Sequence, residues 1–134
     1  MIGGVDVWVD GVGTGGTLLG VARALKKVNP QVRVVAVEPA ESAVLSGHQA
    51  GHHQIQGIGE GFIPEIVQKN ISLIDEVIII ESQRAIEAAQ RLAKEHGLLV
   101  GTSSGANILA AQKLSEKYKK VVTVLPDRGE RYLA

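Results

Sequence analysis

The apolar positions of this chain switch repeatedly between a strand-like and a helix-like period, which predicts βα units wound around a mainly parallel sheet. Val5-Asp6-Val7-Trp8-Val9 reads as a first strand running into the glycine cluster Gly11 to Gly16. Leu18, Val21, Ala22, Leu25 and Val28 then recur at helical spacing, so a helix is predicted over Thr17 to Val28. Lys26 and Lys27 suit the negative end of its dipole, and Asn29-Pro30 stops it. Val32 to Val37 is almost continuously apolar, as a strand covered on both faces should be, and Glu38-Pro39 ends it. Residues 39 to 72 show little periodicity; an excursion this long in a compact domain points to a ligand-facing role.

Val77 to Ile80 predicts a third buried strand, followed by a helix over Gln83 to His96 with Ser82 as its N-cap and Ile86, Ala89, Leu92 and Ala93 inward. Gly97 stops that helix. After the short apolar run Leu98-Leu99-Val100, Gly101 to Gly105 opens another helix reaching about Tyr118. Val121 to Leu125 is a last strand, and a polar tail follows. The whole reads as one three-layer αβα domain.

Composition narrows the chemistry. At 134 residues, 45% hydrophobic and 21% charged, the chain suits one globular core rather than a disordered tail or a fibre. Lys+Arg and Asp+Glu both number 14, so no net field draws it to nucleic acid or an anionic membrane. No apolar run approaches the ~20 residues of a membrane span, and no basic or long apolar signal region opens the chain, so a cytoplasmic protein is expected. The absence of cysteine excludes disulfides, thiolate metal ligands and a thiol nucleophile. His48, His52, His53 and His96 raise the question of a metal, but His48, His52 and His53 lie in a stretch with no acidic ligand at useful spacing, and no metal is expected.

Gly11-Val12-Gly13-Thr14-Gly15-Gly16-Thr17 lies between a strand and a helix, where backbone amides and the helix dipole bind phosphate. Thr14 and Thr17 add hydroxyl donors that a plain tight turn does not need. The stretch also fits G-x-G-x-x-G, and Glu38 stands about 20 residues on, where a dinucleotide site wants a ribose partner. A nicotinamide-type dinucleotide module is therefore one reading of the spacing. A second small, polar helix start, Gly101 to Gly105, is open to ordinary capping by Ser103 or Ser104. In one parallel sheet both helix starts would face the C-terminal edge of the strands and converge on one pocket.

Taken together, V-G-T-G-G-T at 12 to 17, E-P-A-E-S-A-V-L-S-G at 38 to 47, I-Q-G-I-G at 55 to 59, G-L-L-V-G-T-S-S-G-A at 97 to 106 and G-E-R-Y-L at 129 to 133 closely resemble the cysteine synthases, the O-acetylserine sulfhydrylases. The resemblance spans the chain in order. It implies part of the large domain of a β-family (fold-type II) pyridoxal 5'-phosphate enzyme, with the cofactor phosphate on Gly13, Thr14, Gly15, Gly16 and Thr17. It places Ser103 on the pyridine nitrogen and Gly57, Ile58 and Gly59 in a pocket segment that closes on an amino-acid substrate. Serine cannot protonate that nitrogen as a carboxylate would, which suits elimination more than transamination.

The implied reaction is β-replacement, in which O-acetylserine loses acetate and takes up sulfide to give cysteine. The family's Schiff-base lysine belongs to an N-terminal portion that nothing here matches; Lys26, Lys27, Lys113, Lys117, Lys119 and Lys120 do not replace it by motif. No catalytic residue is therefore assigned, and residues 1–134 are expected to be one partial, C-terminal cofactor-binding domain, inactive alone. Cystathionine synthases and serine-dehydrating relatives share much of this half, and a non-catalytic remnant is a further alternative. Apolar surface left uncovered predicts a homodimer or aggregation.

Three departures from the family pattern stand out. Asp10 replaces a small residue before the glycine loop and puts a carboxylate near a phosphate. Thr102 replaces an aliphatic residue before Ser103, and Asp127-Arg128 is expected at the surface. Trp8 is expected in packing, and Glu130-Arg131 as a salt bridge or two solvated charges.

Overall fold

The structure is a computed structural model and describes residues 4–129. The sequence-predicted pair Glu130-Arg131 and the rest of the tail motif, Tyr132 included, lie outside the described residues. Four strands, β1 (Val7–Gly11), β2 (Arg33–Pro39), β3 (Glu76–Ile80) and β4 (Val121–Val122), form one parallel sheet in the order β3-β2-β1-β4. The helices are α1 (Gly16–Val28), α2 (Glu65–Lys69), α3 (Ser82–His96) and α4 (Thr102–Ser115).

The near-continuous apolar strands are explained by burial on both faces. Val7, Val9, Val35 and Val37 point to one side, where they pack with Ala106, Ala110 and Leu114 of α4. Trp8, Val34 and Ala36 point to the other, against Leu18, Leu19 and Ala22 of α1 and Val67 of α2. Trp8 is buried as expected, and its indole N–H donates to the Leu18 carbonyl at 2.9 Å.

The α4 side is two helices deep, because α3 packs chiefly on α4 rather than on the sheet. Small residues make that approach possible: a Cβ on Gly105 would stand 2.1 Å from the Ala85 carbonyl oxygen. This corrects the predicted inward face of α3. Ala85, Ala88 and Ala89 are buried, whereas Ile86, Leu92 and Ala93 are only half-buried. Val28, one of the apolar residues recurring at helical spacing, is 87% exposed at the end of α1.

β3 is also less buried than its four apolar residues suggest. It is an edge strand, so Ile78 and Ile80 enter the core while Ile79 stays 47% exposed. The last strand is shorter than predicted, and Leu98 and Leu99 are both exposed. Residues 40–73 form short 3-10 turns, α2 and connecting loop, and only a few of these residues face a cavity.

Strand order creates the functional geometry. From β1 the chain turns into α1 on one face; β4, its other neighbour, is reached through α3 and α4 on the opposite face. Beyond the C-terminal ends of β1 and β4 the connections diverge, and such a switch point leaves a crevice.

Candidate functional site

That crevice is a cavity of about 250 Å³ lined by Gly13, Thr14, Gly15 and Thr17 from the glycine loop, Gly57 and Ile58 from the excursion, and Ser103 from α4. Asp10, Gly11, Pro126 and Asp127 complete its wall. The two glycine-rich helix starts thus open into one space. Gly16 and Gly59 are not among the lining residues. Gly59 instead packs against Pro39 and His53, its amide donating to Val12 O at 3.0 Å.

The glycine loop has the features of an anion cradle. Gly15 takes φ 90°, and a Cβ there would lie 2.4 Å from Val67 Cγ2. This left-handed turn starts α1 with no side-chain cap and no acidic residue in the first turn. The first intrahelical bond runs from Leu19 N to Gly15 O, so the Thr17 and Leu18 amides precede the helical ladder. Gly16 N donates weakly to Thr14 Oγ1 at 3.3 Å. Helix amides without a capping partner, together with the dipole, suit a phosphate.

α4 likewise begins without a side-chain cap, at Gly101. Neither Ser103 nor Ser104 is that cap. Both are buried inside the first turn, and the Ser103 hydroxyl is 3.4 Å from Asp127 Oδ2. Asp127 is therefore half-buried in the cavity wall and not a surface charge, because the chain after β4 folds back beside α4.

The excursion is held to this site by several side chains. Thr102 Oγ1 accepts from Gln56 N at 3.1 Å. His53 Nδ1 accepts from Ile55 N at 3.1 Å, which fixes its tautomer, so Nε2–H donates to Gly59 O at 2.7 Å. Ser82, predicted as an N-cap, instead receives the Gln54 amide on its hydroxyl at 2.9 Å. The α3 start is capped from afar by Glu41, whose carboxylate accepts from Ser82 N at 3.0 Å and 3.2 Å. Burial acts to raise the Glu41 pKa, but hydrogen bonds from its own backbone and from Ser82, with His53 nearby, outweigh it and hold the carboxyl below its ordinary 4.5.

Two acidic groups give this site its particular character. Glu38 is buried, with its carboxylate accepting from Leu45 N, Ser46 N and Ser46 Oγ at 2.6–2.9 Å. It anchors the turn after β2 and is engaged there, which removes the ribose partner the dinucleotide reading needs. Asp10 is 6% exposed, and its Oδ1 accepts from Gly11 N at 2.8 Å and Asn107 Nδ2 at 3.0 Å. Burial pushes its carboxyl above the ordinary 3.8, against the lowering effect of those two bonds.

Sheet, switch point and uncapped glycine turn define an α/β domain with a crevice at its strand ends whose polar helix starts suit an anionic ligand. The chain belongs to the family described as pyridoxal-phosphate dependent enzyme, whose profile matches residues 1–127. It is 51% identical over 133 residues to a cysteine synthase of Staphylococcus aureus, covering 97% of this chain and 42% of that relative. Among solved structures, O-acetyl serine sulfhydrylase isoform 3 from Entamoeba histolytica superposes with a TM-score of 0.91 at 50% identity, covering 96% of this chain and 39% of that one. The O-acetylserine dependent cystathionine beta-synthase from Helicobacter pylori superposes at 0.89 with 41% identity, covering 96% and 42% respectively. The chain thus spans about two fifths of the length of these relatives. No helix among the described residues is long and apolar enough to cross a membrane.

Proposed function

We propose that these residues form the phosphate- and ring-holding wall of a cysteine synthase-like site, where O-acetylserine exchanges acetate for sulfide. The uncapped α1 start facing Ser103 across one cavity carries this reading. Thr14, Thr17 and the amides after Gly15 would hold the pyridoxal 5'-phosphate phosphate, with Ser103 at the ring nitrogen. When bound, that cofactor supplies an electron sink for breaking bonds at the substrate's α and β carbons. Gly57 and Ile58 shape the substrate side of the pocket, and Gly59, held by His53, sets the position of that loop.

Among the described residues, no lysine lines the cavity. In this reading the imine-forming lysine comes from a complementary polypeptide segment, the 134 residues are one partial domain, and alone they make no cysteine. The exposed apolar side chains Phe62, Ile66, Leu98 and Leu99 favour burial against such a segment or a second copy, and a cytoplasmic homodimer is the corresponding assembly.

The test is equilibrium binding of pyridoxal 5'-phosphate, followed by the fluorescence of the single tryptophan, Trp8. Saturable binding that Gly15→Ala abolishes supports the assignment. Preference for NAD over pyridoxal 5'-phosphate would refute it.

A further inference from the structure

Asp10 is an odd neighbour for a phosphate. Its carboxyl is buried in the wall of the cavity that the uncapped α1 start faces, and among the described residues no lysine or arginine lines that cavity. An ionised carboxylate there would repel a dianion at short range through a medium that screens poorly. The neighbouring side chain adds a second, independent oddity. Asn107 is 1% exposed and gives its Nδ2 hydrogens to Asp10 Oδ1 and Val124 O, both at 3.0 Å. Its Oδ1 has no hydrogen-bond partner among the described residues. A buried acceptor without a donor is costly.

Both oddities are resolved by the same change. We propose that Asp10 is a proton-coupled control on anion affinity: it takes up a proton when the cofactor phosphate binds, and in its ionised form it weakens the site. As an acid, its protonated oxygen donates to Asn107 Oδ1 while Oδ1 of Asp10 keeps the bonds from Asn107 and Gly11. The acid–amide pair is then neutral and satisfied, and the repulsion is gone. Asp10 is a positioning and affinity-setting residue, not a catalytic one.

The groups around Asp10 leave few other proton acceptors. Its register partner on β2 is Ala36. α4 presents Asn107 and Ser103, the glycine loop presents Thr14 and Thr17, and the excursion presents Gly57 and Ile58. Asp127, on the segment after β4, is the other titratable group lining the cavity among the described residues. Burial already favours protonation of Asp10 over its ordinary behaviour.

This inference rests on the cradle being an anion site, and the experiment separates the two. Inorganic sulfate is the probe, because it stays dianionic across the range and leaves any pH dependence to the protein. Its binding is measured calorimetrically from pH 4.5 to about 8 on the full chain, as wild type, Asp10→Asn and Asp127→Asn. Wild-type affinity should fall by about tenfold per pH unit over part of the range, the limit for one linked proton. Asp10→Asn keeps an acceptor for Gly11 and Asn107 and should bind more tightly at neutral pH with a flat profile; Asp127→Asn should retain the slope. Titrating wild type in two buffers of different ionisation enthalpy should show about one proton taken up per sulfate. That measurement stands even if Asp10→Asn does not fold.

A flat wild-type profile with no proton uptake overturns the role of Asp10 and leaves the anion site intact. The same slope in Asp10→Asn, or its loss in Asp127→Asn, also overturns it. Failure of wild type and Asp10→Asn alike to bind sulfate or pyridoxal 5'-phosphate at any pH sinks the cofactor reading and this inference with it.

Discussion

Ser103 Oγ lies 3.4 Å from Asp127 Oδ2, so the serine hydroxyl lining the cavity donates to a carboxylate through a long hydrogen bond. The weak geometry leaves that hydroxyl able to reorient when a ring occupies the space. Ser103→Ala should weaken pyridoxal 5'-phosphate by about fivefold, the equivalent of ~1 kcal/mol for one hydrogen bond. Sulfate, held only at the glycine loop, should bind unchanged. Parallel titrations of the two ligands check this; equal losses for both would show that Ser103 supports the fold instead.

The glycines of the cradle differ sharply in what they tolerate. Gly15→Ala meets a positive φ and a Val67 methyl at 2.4 Å, and should destabilise the chain by about 1–3 kcal/mol. Gly13→Ala places its methyl 2.5 Å from Gly57 O and should push the two cavity-lining loops apart. Gly16→Ala meets nothing nearer than Thr14 Oγ1 at 3.5 Å and should be nearly neutral in stability. Thermal unfolding followed by Trp8 fluorescence ranks the three.

His53 ties the excursion back on itself through Ile55 N and Gly59 O. His53→Ala should loosen residues 55–61 and raise their hydrogen exchange without unfolding the sheet. His53→Gln retains a donor and an acceptor and should restore part of the protection. Unchanged exchange in His53→Ala would show that Val12 O and Thr102 alone hold the loop.

Stability should respond to pH in two opposite ways. Glu41 has a folded pKa below its ordinary value, so its contribution is present above about pH 4.5 and is lost as pH falls through the lower folded value. Asp10 has a raised folded pKa, so its contribution is full below 3.8 and is lost as pH rises through the folded value. Denaturant midpoints across pH 2.5–8 should show the acid-side loss diminished in Glu41→Gln and the loss on raising pH diminished in Asp10→Asn.

Much of the fold was legible because burial on both faces writes itself into a run such as Val34-Val35-Ala36-Val37, and because the αL glycine at Gly97 marks a helix end locally. The misreadings have a common cause. Ile79, Val28 and the α3 face depend on which neighbour covers them, and the strand order and depth of helical packing are long-range facts. Ser82 looked like a cap by local rules, yet Glu41 caps its amide from 41 residues away. Within the site, the threonine-flanked glycines and Ser103 announced themselves by motif, whereas Asn107 and Asp127 carried no local signal.

The amino-acid order by itself determined the βα rhythm, the polar helix starts and the absence of thiol chemistry, since each follows from residue type and short-range spacing. Tertiary structure alone decided that Asp10 would share a cavity with Asp127 and that Asn107 would meet Asp10 across 97 residues of chain. Those outcomes depend on where strands β1 and β4 part. Distances between side chains far apart in sequence, and the burial that shifts a carboxyl's proton affinity, exist only once the sheet has closed around them.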